Sequence, residues 1–486
     1  MKFFLLLLTF FLITEAEEVQ SNKNNNLDII KLLDKGVKRD FYINEYLKED
    51  ISDLEAFETL SLIDDFTNEI FYNFAKKFNH DETLAVAQCM NMDTKDLINS
   101  YADCIVIGLS LKEATTLSSI DLDLIMQKTV DKYPNFTKNL KVVSSSIPFT
   151  KLIVSNKDDF YKIFLSVNDN FRTKYFNYKL PKRTFKKIFA DKKNFEKFLQ
   201  VSLTNTKLDT LQKSLLEIDD KDLNVNSSFL LALNALRYNN ISKAVNYLDN
   251  AKNKTKSKKV KDKILFWKYQ ATKEKNYLTN LSNSLNKNLY SLYANEMLGK
   301  SFNNFTILEN VDIFNFLLED YDLNRVSSLL SITKVKSNFN SNKISKEFNL
   351  GIMQLNRNII NNSPYLSSNT ISTLDFFSIK DNLKIANTHL DQLEKTIKNP
   401  LFLALVYETN YEYLNNKLEN GLFLKKSIYE PFMSLELTLN GNKEYLKDFL
   451  VYKYLYQNYL EKEEKNKITF ASIFESLFAS SQKLDE

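Results

Sequence analysis

The scarcity of glycine and proline constrains this chain more than any other feature of its sequence. Among 486 residues there are six Gly and six Pro, beside 37 Phe and 25 Tyr. A fold with many β-strands needs turn-forming residues at short intervals, so this composition favours long helices. Because 44% of the residues are hydrophobic, a chain of this length can bury a large core. We therefore predict an all-α protein of at least two domains.

Glycine spacing excludes several nucleotide-binding and hydrolase motifs. The two glycines nearest to each other are Gly421 and Gly441. A GxxxxGK phosphate-binding loop, a GxGxxG dinucleotide-binding turn and a GxSxG nucleophile elbow all need closer pairs. The sequence therefore excludes these classes of enzyme, and we predict no cofactor.

The charge of the chain is nearly balanced, with a formal net charge of +4. A nucleic-acid-binding protein needs a clustered basic face, so no nucleic-acid partner is predicted. The densest basic run, from Lys252 to Lys263, is more typical of a solvated loop between helices than of an anion-binding patch. Binding of an anionic cell-wall polymer is the lesser alternative for this run.

The N-terminus has the pattern of a cleavable signal peptide over residues 1–16. One lysine precedes an apolar stretch from Phe3 to Ile13, and a small-x-small pattern ends at Ala16. The apolar stretch is shorter than the ~20 residues that a membrane-spanning helix needs. We expect an exported chain that begins near Glu17 and has no transmembrane anchor.

The chain has two cysteines, Cys89 and Cys104. In an oxidising compartment this pair favours one disulfide between neighbouring helices, and two buried free thiols are the alternative. The two histidines, His80 and His389, are distant from each other along the chain, and with the two cysteines they offer no ligand cluster of the usual spacing. We therefore predict no metal site.

Stacked helix pairs are predicted for residues 17–300. In SSFLLALNALRYNNISKAVNYLDNAKNK, Phe229 and Leu236 lie on one helix face, and an Asn-Asn turn precedes a second amphipathic helix. Such pairs cannot bury an apolar face alone, so they stack into an irregular superhelix of tetratricopeptide-like pairs. Gly299 is expected to cap the last helix of the stack.

The chain changes character after residue 300, where loops lengthen. We predict a linker helix over 301–321 and a compact domain with a cleft over 322–486, including a C-terminal helical tail. Asp381 is expected to N-cap a helix that ends before Pro400. The aromatic stripe that begins at Tyr445 is typical of a core helix rather than of a sugar-stacking surface.

The C-terminal part resembles a known enzyme family. The segments SNFNSNKIS, GIMQL, DNLKIANTHLDQL, PLFLALVYETN and YEPFMSLELTLNGNKEYLKDFLVY follow one another in the order found in soluble lytic murein transglycosylases. The resemblance spans about residues 322–460. It implies a helical superhelix followed by a goose-lysozyme-like domain, a location in the periplasm, and peptidoglycan glycan strands as the partner. Other cell-wall enzymes are further candidate partners.

The resemblance places Lys336 where the family has its catalytic glutamate, with Ser337 and Phe339 matching. The family glutamate protonates the glycosidic oxygen and then acts as base while a 1,6-anhydro sugar forms. An ammonium with an ordinary pKa of ~10.4 is a weak acid beside a carboxyl of ~4.3. It also repels the positive charge that develops on the sugar. We therefore expect catalysis to be impaired.

Other family positions are partly kept. Tyr407 and Tyr445 match, whereas Glu408 replaces an asparagine. Glu408 is expected either to pair with Lys336 across the cleft or to be an ordinary surface carboxylate. A pair would lock the site structurally, because removing one partner would strand a buried charge.

The GIMQ segment matches the sugar-contacting loop of the family at Gly351, Met353 and Gln354. A glycine permits close approach, and a glutamine amide can bond to N-acetyl and hydroxyl groups. These residues favour a surviving glycan groove, although Met353 alone is more typical of a core position. His389 is interpreted as a packed or surface residue.

Three functional hypotheses remain open. The first is a catalytically impaired member of the family that binds peptidoglycan. The second is an active lytic transglycosylase that uses another carboxylate, Glu408 or, less favourably, Glu347. The third is a helical-repeat scaffold for other exported proteins.

Overall fold

The all-α prediction is confirmed by the fold. The computed structural model describes residues 27–78, 80–300, 311–357, 359, 376–424, 429–438, 444–461 and 467–469. Within these ranges the regular structure is helical, and β-pairing is limited to two isolated antiparallel bridges, from Leu350 to Ile344 and to Leu355. The predicted signal peptide lies outside the described residues.

The described helices are numbered here in chain order. The first five are α1 (Leu27–Leu32), α2 (Val37–Tyr46), α3 (Asp53–Thr59), α4 (Asn68–Phe78) and α5 (Asp81–Met90). The central ones are α6 (Thr94–Asn99), α7 (Ala102–Gly108), α8 (Leu111–Ala114), α9 (Ser119–Thr129), α10 (Pro134–Val143), α11 (Pro148–Val154), α12 (Lys157–Ser166), α13 (Asp169–Phe176), α14 (Lys182–Ile188), α15 (Lys192–Thr204), α16 (Asp209–Leu215), α17 (Val225–Arg237), α18 (Ile241–Asn253), α19 (Lys258–Thr272), α20 (Lys275–Ser282) and α21 (Leu289–Met297). The last ones are α22 (Val311–Asp320), α23 (Leu323–Ser337), α24 (Ile379–Glu394), α25 (Pro400–Glu408), α26 (Tyr411–Glu419), α27 (Glu430–Leu437) and α28 (Tyr445–Leu460).

The chain divides into two compact units. The first combines the chain up to Asn91 with Asn340–Thr388, and the second combines Met92–Phe339 with His389 onward. In the first unit, the Phe41 and Phe348 rings meet edge to face with centroids 5.7 Å apart. Aromatic pairs of this geometry stabilise a core beyond their buried area.

The predicted helix pair is present in the second unit as α17 and α18. Asn239 forms the turn with a φ of 56°, and the Asn240 side chain accepts a hydrogen bond from the Lys243 backbone at 3.2 Å. Leu236 and Leu248 are completely buried on the two facing helices. Asparagine tolerates the left-handed conformation and caps a helix start, which explains why the pair reads clearly in the sequence.

Gly299 ends α21 as predicted. Its φ of 64° lies in the left-handed region, its N–H donates to Glu296 O at 2.9 Å, and Lys300 N–H donates to Asn295 O at 2.9 Å. These two bonds form the Schellman motif that satisfies the last carbonyls of a helix. Beyond it, residues 301–310 of the predicted linker helix lie outside the description, and α22 covers Val311–Asp320.

The structure contradicts the predicted start of one helix, α24, and confirms the predicted burial of another, α28. The expectation that Asp381 N-caps its helix is wrong, because α24 begins at Ile379 and the Asp381 N–H donates to Ser378 Oγ at 3.4 Å. The serine hydroxyl therefore takes the role assigned to the aspartate. Helix α28, which carries the aromatic stripe beginning at Tyr445, is a core element as predicted. Its Phe449 and Tyr456 side chains are each 1% exposed.

The basic run from Lys252 to Lys263 is predicted as a solvated loop, but only residues 254–257 connect α18 to α19. The rest of the run belongs to the two helices, and Asp262 within it is buried, where its carboxylate accepts hydrogen bonds from Ser284, Asn286 and Asn288. Both Cys89 and Cys104 are buried and disulfide-bonded.

Among the helices described above, none combines the length and apolar character needed to cross a bilayer.

A cluster of phenylalanine rings fills the core around α12 and α15 in the second unit. The Phe164 and Phe198 ring centroids lie 4.7 Å apart, and Phe160 lies 5.8 Å from Phe198. All three side chains are 0 to 1% exposed. This explains the high phenylalanine content, because aromatic rings bury the largest area per side chain.

The second unit is also joined by hydrogen bonds between distant parts of the chain. Gln200 Nε2 on α15 donates to Leu437 O at the end of α27 at 2.8 Å. Thr206 N–H donates to Asn420 O at 2.8 Å. The helices before residue 300 and those after residue 400 therefore share one packed interior within this unit.

A buried polar cluster strengthens the same junction. The Glu436 carboxylate accepts hydrogen bonds from Trp267 Nε1 at 3.3 Å, from the Tyr290 hydroxyl and from Lys447 Nζ at 3.2 Å. Lys447 also pairs with Glu444 at 3.1 Å. Because each buried charge has several partners, the cost of removing it from water is offset locally.

The Leu199→Ala variant tests the predicted core. Leu199 lies on α15 and is completely buried, so truncation should lower the free energy of unfolding by about 2–5 kcal/mol. Urea denaturation followed by circular dichroism measures the loss. Leu285→Ala is the matched control, because Leu285 is 90% exposed and its truncation should change stability by less than about 0.5 kcal/mol. Equal losses in the two variants would contradict the assignment of α15 to the core.

Candidate functional site

Helix α23 carries Lys336 near its C-terminal end. The helix begins with Asp322, whose Oδ1 accepts a hydrogen bond from Arg325 N–H at 2.8 Å. It ends at Asn338, which adopts the left-handed conformation with a φ of 52°. A lysine in the last turn is favourable, since the helix C-terminus carries partial negative charge.

Helix α25 ends at Glu408. Its N-cap is Asn399, whose Oδ1 accepts from Leu401 N–H at 2.9 Å, and Pro400 occupies the first helical position. Proline is well suited to that position, since it lacks the N–H that would have no partner there. The carboxylate of Glu408 thus stands at a helix C-terminus, where negative charge is unfavourable without a cationic partner.

Lys336 and Glu408 form a direct ion pair between these two helix ends. The Lys336 ammonium donates to Glu408 Oε2. The two side chains are 12% and 7% exposed, so water screens the contact little. Of the two alternatives left open by the sequence, the structure has the paired one.

Two tyrosines flank the ion pair. Lys336 Nζ lies 5.6 Å from the centroid of the Tyr445 ring. Burial, the Glu408 charge and the neighbouring Tyr407 raise the pKa of Tyr445 well above its usual value. Burial and the Glu408 charge likewise raise the pKa of Tyr407. Both phenols therefore remain protonated, and Tyr445 Oη has no hydrogen-bond partner among the described residues.

Ser337 follows Lys336 but does not extend the site. It is 4% exposed, and its hydroxyl donates to Thr333 O at 3.0 Å within its own helix. Serine commonly bonds back to the preceding turn in this way. The structure therefore gives this matching residue a local helical contact.

The GIMQ residues lie in the first unit and are buried among protein atoms. A Cβ on Gly351 would lie 2.3 Å from Phe376 O and 2.3 Å from Asn382 Nδ2, and its φ is 74°. Met353 is completely buried, and its N–H donates to Asn382 Oδ1 at 2.8 Å. Glycine is therefore required at position 351 because Phe376 and Asn382 of the protein pack closely against it.

Gln354 is bonded in the same turn. Its Nε2 donates to Lys343 O at 2.9 Å and to Gly351 O at 2.8 Å, and the residue is 4% exposed. Both amide hydrogens are therefore used by the backbone. The role expected for Gln354 in contacting sugar stays a prediction.

The other candidates named from the sequence are Glu347 and His389. Glu347 is exposed in the first unit, and its carboxylate accepts a hydrogen bond from Ser345 Oγ at 3.0 Å. The His389 ring lies 5.9 Å from the Tyr407 ring, and burial lowers its pKa. This packed environment agrees with the interpretation of His389 as structural.

Lys453 is a buried charge that the sequence analysis missed. It is 4% exposed on α28, and its ammonium contacts four oxygens of α23, including Asn324 Oδ1 at 2.7 Å and Ser328 Oγ at 2.8 Å. Burial lowers its pKa to about 7. Its position four residues after Phe449, on the apolar face, is the signal that could have revealed it.

The arrangement around Lys336 contains an ammonium, a carboxylate bonded to it and two protonated phenols. The one carboxylate in this set of four described side chains, Glu408, is bonded to the ammonium. Within the described ranges, no group of three or more His, Cys, Asp or Glu side chains is arranged to hold a metal ion. The ammonium of Lys336 and the carboxylate of Glu408 balance each other's charge within this cluster.

Residues 319–424 match the family model described as "Transglycosylase SLT domain". The match confirms the family resemblance drawn from the sequence, and its range contains both Lys336 and Glu408. No curated protein matches the chain.

Solved structures of similar proteins were also found. The X-ray structure of an inactive mutant of the lytic transglycosylase Slt from Pseudomonas aeruginosa aligns with 10% identity and a TM-score of 0.45, covering 93% of this chain and 92% of that one. The 70 kDa soluble lytic transglycosylase from Escherichia coli aligns with 11% identity and a TM-score of 0.35, covering 94% and 92%. A complex of a 70 kDa soluble lytic transglycosylase with bulgecin A aligns with 12% identity and a TM-score of 0.36, covering 88% and 87%.

A double-mutant cycle tests the Lys336–Glu408 pair. Lys336→Met or Glu408→Leu alone should lower the free energy of unfolding by about 3–5 kcal/mol, because each strands a buried charge. The double variant should lie within about 1.5 kcal/mol of the unmodified protein, since neither charge remains. Chemical denaturation measures all four stabilities.

The exposed pair of Lys213 and Asp209 supplies the control for this cycle, with side chains 60% and 51% exposed. Lys213→Met should cost at most about 1 kcal/mol. Additive losses at Lys336 and Glu408 would contradict a coupled pair.

The low pKa of Lys453 predicts a pH-dependent stability. In the unfolded chain this lysine titrates near 10.5, whereas in the fold it titrates near 7. Between these values the unfolded state binds more protons, so stability should rise with pH by up to about 1.4 kcal/mol per pH unit. Denaturation curves from pH 7 to 10 measure this slope.

Lys453→Met should remove the slope, whereas Lys395→Met, at an exposed position, should keep it. Asp322, Arg325 and Glu394 also act on the Lys453 charge and are unchanged in both variants. The same slope in all three proteins would contradict the assignment.

Proposed function

We propose that the protein binds the glycan strands of peptidoglycan and does not cleave them, because residues 319–424 match the family model described as "Transglycosylase SLT domain". The observation that carries the proposal is the buried ion pair of Lys336 with Glu408. The family resemblance places Lys336 at the position of the catalytic acid and base. A lysine bonded to a carboxylate stands where the reaction needs a proton-donating carboxyl group.

Glycosidic cleavage needs a group that gives up a proton and then takes one back near neutral pH. A lysine ammonium has an ordinary pKa of ~10.4, so it holds its proton too tightly for this task. Its positive charge also repels the oxocarbenium-like transition state, which a carboxylate would stabilise. The same substitution therefore removes both the acid and the electrostatic stabilisation.

The alternative carboxylates do not replace the lost group. Glu408 Oε2 accepts a hydrogen bond from Lys336, so this carboxylate is already engaged by the ammonium. Glu347 lies on an exposed turn, where its carboxylate accepts a hydrogen bond from Ser345 Oγ. Each alternative carboxylate is therefore already bonded to another side chain of the protein.

The cellular setting follows from the same proposal. A protein that binds peptidoglycan glycan strands works in the periplasm, and the signal-peptide pattern of residues 1–16 would deliver it there. Retained binding without turnover would make the chain an anchor or a competitor for active wall enzymes. Such enzymes are its candidate protein partners.

Digestion of purified sacculi tests this proposal. The full-length protein should sediment with sacculi at low salt and release no 1,6-anhydro fragments detectable by mass spectrometry. Lys336→Glu combined with Glu408→Asn restores the family residues at both positions and avoids two adjacent carboxylates. Fragment release by this double variant would show that the remaining machinery is intact.

Lys334→Gln is the matched control, since Lys334 lies on the same turn of α23 and its substitution lowers the net charge by one, as the double variant does. It should release nothing. Release of anhydro fragments by the unmodified protein would instead support an active enzyme with another carboxylate. A lack of sedimentation at low salt would favour the scaffold hypothesis.

A further inference from the structure

A cavity of about 680 Å³ opens in the second unit, and none of the four side chains around Lys336 is part of its lining. Its walls come from the α12–α13 connection, from α15, from the start of α26 and from the end of α27, with Lys112 on α8 at one side. Ligand sites for small molecules commonly have volumes of roughly 300–1,000 Å³. The cavity is therefore large enough for a sugar that carries a short substituent.

Of the two carboxylates in the wall, Asp169 is already engaged by the protein. Asp169 Oδ1 accepts from Arg172, and Asp169 Oδ2 accepts from Asn420 Nδ2 at 3.0 Å. Arg172 also donates to Phe164 O at 3.0 Å and to Val167 O at 2.7 Å, so it is fixed as part of the wall. This carboxylate is bonded on both oxygens by the protein itself.

Lys417 and Lys112 add two more cations to the wall. Lys417 Nζ lies 4.9 Å from the centroid of the Tyr413 ring. Burial lowers the pKa of Lys417, the Asp169 charge raises it, and the Arg172 and Lys112 charges lower it further. The three cations therefore lie near enough to repel one another, and a further anion in the cavity would relieve that repulsion.

The rest of the lining suits a hydroxylated and N-acetylated ligand. Asn410 and Asn416 line the cavity beside the Tyr413 ring. Amides offer both donors and acceptors, and an aromatic ring offers an apolar face to a sugar. Glu412 also lines the cavity and is exposed, so the wall carries the three cations Lys112, Arg172 and Lys417 beside the two anions Asp169 and Glu412.

We propose that this cavity is a second binding site for wall fragments, which takes a carboxylate-bearing N-acetylated sugar with Lys417 and Lys112 at the carboxylate. The inference rests on the proposed function, because peptidoglycan supplies such sugars. Muramic acid carries a lactyl carboxylate when its peptide is absent and peptide carboxylates when it is present. Either source presents the same group to the two ammonium ions.

Equilibrium titration of the full-length protein tests the site with three soluble probes. N-acetylmuramic acid carries the lactyl carboxylate, muramyl dipeptide carries peptide carboxylates, and N-acetylglucosamine is neutral. At least one of the acidic probes should bind about tenfold or more tightly than the neutral one, and high salt should weaken that binding. The acid that binds identifies the source of the carboxylate.

Lys417→Gln and Lys112→Gln should each weaken binding of the acidic probe by about fivefold or more, because each removes one charge from the carboxylate. Lys395→Gln, at an exposed position elsewhere, should leave it unchanged. Lys112 is exposed, so its variant tests the site even if Lys417→Gln unfolds. Lys336→Met should not alter binding of these probes.

Equal binding of acidic and neutral probes, or affinity unchanged by both lysine substitutions, would overturn the second site. Failure of the protein to sediment with sacculi, while Lys417-dependent binding of N-acetylmuramic acid persists, would contradict the proposed function alone. The two failures are thus distinguishable.

Discussion

Two opposite charges meet at the C-terminal ends of helices α23 and α25, and a helix C-terminus stabilises only the positive one. The partial negative charge of a helix end favours Lys336 and disfavours Glu408. The ammonium of Lys336 therefore supplies the positive charge that Glu408 lacks at the end of its own helix. Because this contact is buried, each side chain is held in place by the other and neither can be changed alone without cost. The aromatic rings around it and the neighbouring helix ends are arranged about a neutral pair.

Local patterns made much of the fold predictable. The α17–α18 pair and the end of α21 depend on Asn239, Asn240 and Gly299, whose conformational preferences act within a few residues. The Lys336–Glu408 contact was foreseen as one of two alternatives, because the family resemblance implied that both residues face one cleft. The start of α24 was misjudged because a serine three residues earlier competes with Asp381 for the same capping role.

Contacts between distant segments could not be predicted in the same way. Gly351 matches a family position, yet the atoms that exclude a side chain there belong to Phe376 and Asn382. Lys453 lies on an apolar face, and its acceptors come from α23, more than a hundred residues earlier in the chain. The charge and spacing of residues along the sequence do not indicate which distant segment will pack against a given side chain. Such partners become visible only when the fold is known.

The bond from Gln200 to Leu437 has a consequence for how the protein is made. The two residues are 237 positions apart, so a growing chain completes α15 long before its partner carbonyl is synthesised. Domains generally fold as units. Until α27 has been made, Gln200 Nε2 can donate only to water or to another group. The second unit can therefore close around this side of α15 only when nearly the whole chain has left the ribosome.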